Sequence, residues 1–132
     1  MDINLRRAAT LQDQIKQFIS DISLDPSHEA FDISLTQVES AERILYSLRD
    51  RVGKANVDST VSTLLTRRVQ LNNIISRYER LVRQGKTEFK DNLSNFRKER
   101  VNISEQILEL NISTNITLPE EDEEILISYH IL

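Results

Sequence analysis

The chain has no cysteine and no tryptophan, and its 132 residues include only two glycines, two prolines and two histidines. The absence of cysteine excludes disulfides, thiolate metal sites and a cysteine nucleophile. So few glycines and prolines exclude the many turns of a β-sandwich or barrel, and a glycine-rich nucleotide loop as well. His28 and His130 are too few for a multi-histidine metal site. We therefore expect no enzymatic activity, no metal and no cofactor, and a function in binding.

Long apolar runs are also missing. The first ten residues, MDINLRRAAT, carry charges at once and lack the apolar core of a signal peptide. No segment approaches the ~18 apolar residues of a membrane span. These features predict a cytoplasmic chain.

Charge is distributed unevenly along the sequence. Residues 67–100 carry ten basic and four acidic side chains, whereas residues 113–132 carry five acidic side chains and no basic one. The basic stretch indicates an anionic lipid, an acidic protein partner or a plain solvated face; nucleic acid is disfavoured because no aromatic platform or groove-reading motif accompanies it. The run Glu120–Glu124 lacks the ligand spacing of a calcium loop and reads as a solvated linker. The basic residues are Arg67, Arg68, Arg77, Arg80, Arg83, Lys86, Lys90, Arg97, Lys98 and Arg100.

Apolar residues recur at steps of three and four in the segments 3–22, 34–52 and 58–84, as in amphipathic helices. We predict an all-α fold, an antiparallel three-helix bundle. The stripe residues are Leu5, Ala8, Leu11, Ile15, Phe18, Ile22, Leu35, Val38, Ala41, Leu45, Leu48, Val52, Val61, Leu64, Arg68, Leu71, Ile75, Tyr78 and Val82.

The ends of these helices are marked by local signals. Asp25-Pro26-Ser27 is a turn signal after the first helix, and Ser34 with Gln37 fits a capping box at the start of the second. Gly53 suits the end of the second helix, and Asp58 suits the cap of the third.

Gly85 leaves two interpretations of the third helix. Either one helix runs over 58–111 with a kink at Gly85, or one helix ends there and another begins. Because no proline or Asn-Gly pair lies nearby, we favour the continuous helix, which would be ~80 Å long. We expect residues 1–111 to form the bundle and residues 112–132 to form an acidic flexible tail that ends in a short apolar segment.

The first two helices are too short to cover a continuous third helix. Its second half, residues 87–111, would then expose an apolar stripe, which predicts a protein partner with a helical surface. The predicted partner-binding residues are Phe89, Leu93, Phe96, Ile103, Ile107 and Leu110.

Three short strings resemble a known family. They are ILYSLRDRV at 44–52, RRVQ at 67–70 with the residues up to Tyr78, and NFRKERVN at 95–102. Together with the helix pattern they resemble the N-terminal regulatory, Habc-like domains of Q-SNAREs, especially the types found in the ER retrograde-transport Q-SNARE and in membrin.

The resemblance implies a non-enzymatic role in vesicle fusion and ER/Golgi trafficking. Such domains bind a tethering complex or a Sec1/Munc18-type regulator. The resemblance also implies a location on the cytosolic face of ER or Golgi membranes. Membrane attachment would come only through a part of the protein absent from this chain. Two alternatives remain open: a helical scaffold or adaptor coiled coil in another complex, and a basic-helix binder of nucleic acid or lipid.

Overall fold

The computed structural model describes residues 1–132, and most of them are helical. The all-α prediction is therefore confirmed at the level of fold class, whereas the predicted bundle with one long third helix is not observed. The elements are β1 (Asp2–Asn4), α1 (Leu5–Asp21), α2 (Phe31–Asp58), α3 (Val61–Arg83), a short 3-10 helix (Thr87–Phe89), α4 (Lys90–Ser113), β2 (Asn115–Thr117) and α5 (Glu120–Ser128).

The chain divides into two units. The N-terminal unit combines Met1–Ala55 with Ile112–Leu132, and the hairpin unit is Asn56–Asn111. This division differs from the predicted boundary between 1–111 and 112–132, because the last residues of the chain join the first ones.

A strand pair holds the two ends of the N-terminal unit together. β1 and β2 are antiparallel, with Ile3 opposite Ile116, and both isoleucines are buried. The amide of Leu118 donates to the Met1 carbonyl at 2.8 Å, so the pairing continues past the last strand residue. The prediction of a flexible tail is therefore wrong for this segment, since its backbone and its apolar side chains are both engaged.

Helix α5 is fixed by contacts with two other helices. Asp122 in its first turn is only 4% exposed and accepts a hydrogen bond from the Arg43 guanidinium of α2 at 3.1 Å. Tyr129, just after α5, stacks on Phe18 of α1 with ring centroids 4.9 Å apart. The acidic run lies in the first turn of a helix, where the helix dipole favours negative charge.

The predicted apolar stripes of α1 and α2 are largely buried. In α1 the buried residues are Leu5, Ala8, Leu11 and Ile15, four of the six predicted. In α2 they are Val38, Ala41, Leu45 and Leu48 from the predicted stripe, together with Ile44.

The boundaries of α2 differ from the predicted ones. Ser34 already donates its amide to the Ala30 carbonyl, so it lies inside the helix rather than at its cap. Gly53 does not end α2, which continues to Asp58. One exposed glycine costs a helix only ~1 kcal/mol, which the flanking helix formers outweigh. α3 follows Thr60, which has φ 67° and makes no side-chain cap bond, so Asp58 is not the cap.

Gly85 ends α3 and reverses the chain. Its φ is +92°, and its amide donates to the Val82 carbonyl while the Lys86 amide donates to the Leu81 carbonyl. This pair of bonds is a Schellman motif, in which the residue after the helix cap must adopt a left-handed conformation. The predicted continuous helix over 58–111 is therefore wrong.

Helix α4 packs against α3 in the hairpin unit. Leu71 and Ile75 of α3 form one buried cluster with Leu93, Ile103 and Ile107 of α4. The apolar stripe beyond Gly85 thus finds its covering element in α3.

The two glycines provide a matched test of this turn. We expect Gly85→Ala to destabilise the protein by about 1 kcal/mol, because an L-residue is disfavoured at positive φ. Gly53→Ala should stabilise it by about 0.5–1 kcal/mol, since a methyl group there meets no atom within 4 Å. Urea unfolding of the three proteins measures both changes. Equal stability of Gly85→Ala and the wild type would contradict the role assigned to this turn.

The contact between Arg43 and Asp122 provides a second test. Arg43→Gln should lower the free energy of unfolding by about 1–3 kcal/mol, because the buried Asp122 carboxylate loses its charged partner. Arg51→Gln, at an exposed position of the same helix, should change it by less than about 0.5 kcal/mol. If the effect belongs to this pair, Arg43→Gln costs much less in an Asp122→Asn background.

Candidate binding groove of the helical hairpin

Five of the six residues predicted to bind a partner, all except Leu110, pack against α3 or its side chains. Leu93, Ile103 and Ile107 are buried, and Phe96 packs against their cluster. Phe89 and Leu110 are half-buried. The expectation that this stripe is uncovered in the monomer is wrong, because Gly85 folds α4 back onto α3. The predicted binding role rested on that exposure and loses its geometric basis.

An aromatic cluster closes the turn end of the hairpin. Tyr78 of α3 lies edge-to-face with Phe89 at 5.5 Å between ring centroids, and it contacts Phe96 at 5.3 Å. These geometries are the favourable ones for aromatic pairs. The cluster fixes the end of α3 relative to the start of α4.

Polar contacts between α3 and α4 use part of the basic stretch. Arg67 donates two hydrogen bonds to the Glu99 carboxylate, at 2.9 and 3.0 Å, and this contact raises the pKa of Arg67. Arg97 pairs with Glu79 at 3.0 Å. Arg100 donates to the Asn72 amide oxygen at 3.2 Å. These three arginines therefore stabilise the hairpin itself.

An open groove of about 530 Å³ lies between the end of α3 and the start of α4. Its apolar floor is formed by the buried Leu93 and the half-buried Val82. Exposed Arg83 and Lys90 stand on its two sides, one on each helix, and neither forms an ion pair within the chain. The complete lining is Glu79, Val82, Arg83, Lys90, Leu93, Ser94 and Arg97. We call this the hairpin groove.

The hairpin groove suits a ligand that is apolar on one side and anionic on the other. The lining has a net positive charge, because it includes three cationic side chains and only one carboxylate. That carboxylate, Glu79, forms an ion pair with Arg97. Lys90 is the first residue of α4, where the helix dipole adds positive potential. No three acidic or histidine side chains converge as metal ligands would.

The sequence analysis predicted the basic side chains of this groove but not their arrangement. Arg83, Lys90 and Arg97 belong to the predicted basic stretch, but along a continuous helix Arg83 would not oppose the other two across an apolar floor. The chain reversal at Gly85 places them on two walls. Arg80 and Arg83 precede Gly85 as basic residues often precede a helix end, but Arg49 and Arg51 precede Gly53 in the same way and α2 continues past it. No local signal therefore distinguishes the glycine that reverses the chain.

No protein-family model, curated protein or solved structure matches this chain. None of the five α-helices combines the length and hydropathy needed to cross a bilayer.

Two substitutions on α4 distinguish its inner face from its outer face. Phe96→Ala should destabilise the protein by about 2–3 kcal/mol, because it empties space beside Tyr78 and the hairpin core. Val101→Ala, at a position 55% exposed, should cost less than about 0.5 kcal/mol. Thermal unfolding followed by circular dichroism measures both. Equal midpoints for the two variants would show that Phe96 does not belong to the core.

Proposed function

We propose that this chain is a non-enzymatic, helical protein–protein interaction module whose hairpin groove binds an acidic amphipathic segment of a partner. The observation that carries the proposal is the pair of unpartnered cations, Arg83 and Lys90, on the two sides of the apolar floor. A surface of this kind complements a segment with carboxylates beside a large apolar side chain.

The composition of the groove predicts modest affinity. Burying one leucine-sized side chain on Val82 and Leu93 contributes about 1.5–3 kcal/mol. Each exposed ion pair adds only about 0.2–1 kcal/mol and weakens as salt is added. Because association also costs translational and rotational freedom, we expect a transient, salt-sensitive contact.

The partner class follows from the resemblance to Q-SNARE regulatory domains. We propose a tethering complex or a Sec1/Munc18-type regulator, acting in vesicle fusion at ER or Golgi membranes. This part of the proposal rests on the sequence strings alone, and the hairpin at Gly85 differs from the long third helix that the family pattern implies. The alternative function is that of a scaffold in another complex. It would use the same groove to bind a partner from outside the trafficking machinery.

The test is a charge reversal in the groove. Arg83→Glu with Lys90→Glu should lower affinity at least tenfold for a labelled synthetic helix with two glutamates four residues apart and a leucine three residues further on. Fluorescence anisotropy measures the binding. The matched control is Arg77→Glu with Lys98→Glu, which makes the same change of charge on the same two helices at exposed positions outside the groove.

Partner capture with the same variants tests the function in the cell. Proteins retained by the wild type and by the control, but lost by the groove variant, are the groove's partners, and their identity decides between a trafficking complex and another assembly. Equal peptide affinity of all three proteins would overturn the proposal. Binding of anionic lipid vesicles without peptide binding would assign the groove to a membrane surface instead.

A further inference from the structure

We infer that the exposed side of α4 pairs with the same side of α4 in a second copy of this chain, in an antiparallel dimer whose two-fold axis passes at Val101. The residues that carry the inference lie outside the lining of the hairpin groove. It therefore goes beyond the proposed function and does not depend on it.

Helix α4 carries an exposed apolar stripe. Val101 is 55% exposed and Leu108 is 52% exposed, and a spacing of seven residues puts both on one side of the helix. Only α4 has exposed large apolar side chains within seven residues of one another, namely Val101, Leu108 and Ile112. Those of α2 are at least eleven residues apart, and α3 and α5 have one each. We call the side of Val101 and Leu108 the α4 outer face.

A shallow groove of about 310 Å³ runs along the α4 outer face. Val101 and Leu108 line it together with Arg100, Ser104 and Glu105, so all of its lining comes from this one helix. A groove between the side chains of a single helix is the shape that receives a ridge of side chains from another helix. Among the exposed surfaces of this chain, only the α4 outer face offers apolar side chains at the matching spacing.

The charge of α4 changes sign along the helix. Residues 90–100 carry four basic and two acidic side chains, whereas residues 101–113 carry two acidic side chains and no basic one. An antiparallel pair sets the basic half of each helix against the acidic half of the other, and it also opposes the two helix dipoles. A parallel pair would bring like halves together. The α4 outer face is therefore complementary to itself, which selects a second copy as its occupant.

Lys98 and Glu105 fix the register of this pair. Both are exposed, and neither forms an ion pair within the chain. Because they stand seven residues apart, they flank the apolar stripe on the same side. A two-fold axis at Val101 leaves Lys98 about 4.5 Å and Glu105 about 6 Å from the axis along the helix, in opposite directions, so each lysine lies nearly level with Glu105 of the other copy. An axis midway between Val101 and Leu108 would instead bring the two Glu105 carboxylates together.

The predicted contact joins two identical surfaces, so association stops at a dimer. The interface is small, because each copy contributes one helix face with two exposed apolar side chains and two charged ones. We therefore expect a weak dimer whose population rises with protein concentration and falls as salt is added.

Charge exchange tests the register. In sedimentation equilibrium of the full chain, Lys98→Glu and Glu105→Lys should each raise the dissociation constant of the dimer about tenfold, because two ion pairs become two repulsions. The double variant Lys98→Glu with Glu105→Lys should restore the wild-type value. A mixture of the two single variants should form a heterodimer, since opposite charges again meet at both positions. The matched control is Arg77→Glu, at an exposed position of α3, which should dimerise as the wild type does.

A cysteine at the two-fold axis provides a second measurement. The chain has no cysteine, so Val101→Cys introduces a single thiol. The two-fold axis places this thiol beside its copy, within the range of a disulfide. Mild oxidation should link Val101→Cys into dimers much faster than the control Val69→Cys, whose position on α3 is 61% exposed. Non-reducing gel electrophoresis over time measures both rates.

Three results would overturn the inference. They are a wild-type chain that stays monomeric at every concentration, a double variant that fails to restore the dimer, and equal oxidation rates for Val101→Cys and Val69→Cys. None of them bears on the proposed function, because binding of the acidic helix by the hairpin groove is measured separately, with Arg83→Glu and Lys90→Glu.

Discussion

The hairpin unit depends on one backbone conformation, the positive φ of Gly85. Two amide-to-carbonyl bonds end α3 at this glycine, and the chain then returns along α3. The reversal has two effects: it covers the apolar stripe of α4, and it brings Arg83 opposite Lys90 across Val82 and Leu93. Stability and the candidate site therefore share a single origin. Without the turn, the same side chains would form an exposed apolar stripe and a basic surface spread around one helix.

The N-terminal unit is closed by a different constraint, the pairing of β1 with β2. Three residue pairs are enough because the apolar side chains on them, Ile3 and Ile116, are buried, and because α5 follows at once. The acidic run is tolerated there for two physical reasons: the start of a helix favours negative charge, and Arg43 partners the one carboxylate that is buried. The remaining carboxylates stay at the surface, where they are available to another molecule.

Helical periodicity was a reliable guide to burial, and local end signals were less reliable. The stripes of α1 and α2 are buried largely as predicted, because a period of 3.6 residues reports directly on which side faces the core. In α3 three of the seven predicted residues are buried, namely Val61, Leu71 and Ile75, and the other four are half-buried. Gly85 and Gly53 show why helix ends are harder to predict from the sequence than buried faces. Both are single glycines in helical patterns, and only the packing of α4 against α3 makes one of them a chain reversal. The strand pair could not be predicted because three-residue strands are too short for a period of two to be recognised. The five acidic residues at 120–124 are also typical of a solvated linker, although Ile116, Leu118 and Leu126 beside them are buried.

The strand pair has a consequence for the order in which the chain acquires its structure during synthesis. Asp2 pairs with Thr117 in the sheet, so the N-terminal unit cannot close until residue 117 has left the ribosome. The hairpin unit needs only contacts between neighbouring helices and has a much lower contact order. We therefore expect the hairpin unit to form before the N-terminal unit, whose first residues must remain without β2 and α5 until those segments are made. Until then the buried side of β1, Ile3, lacks the partner residue Ile116 that covers it in the folded protein.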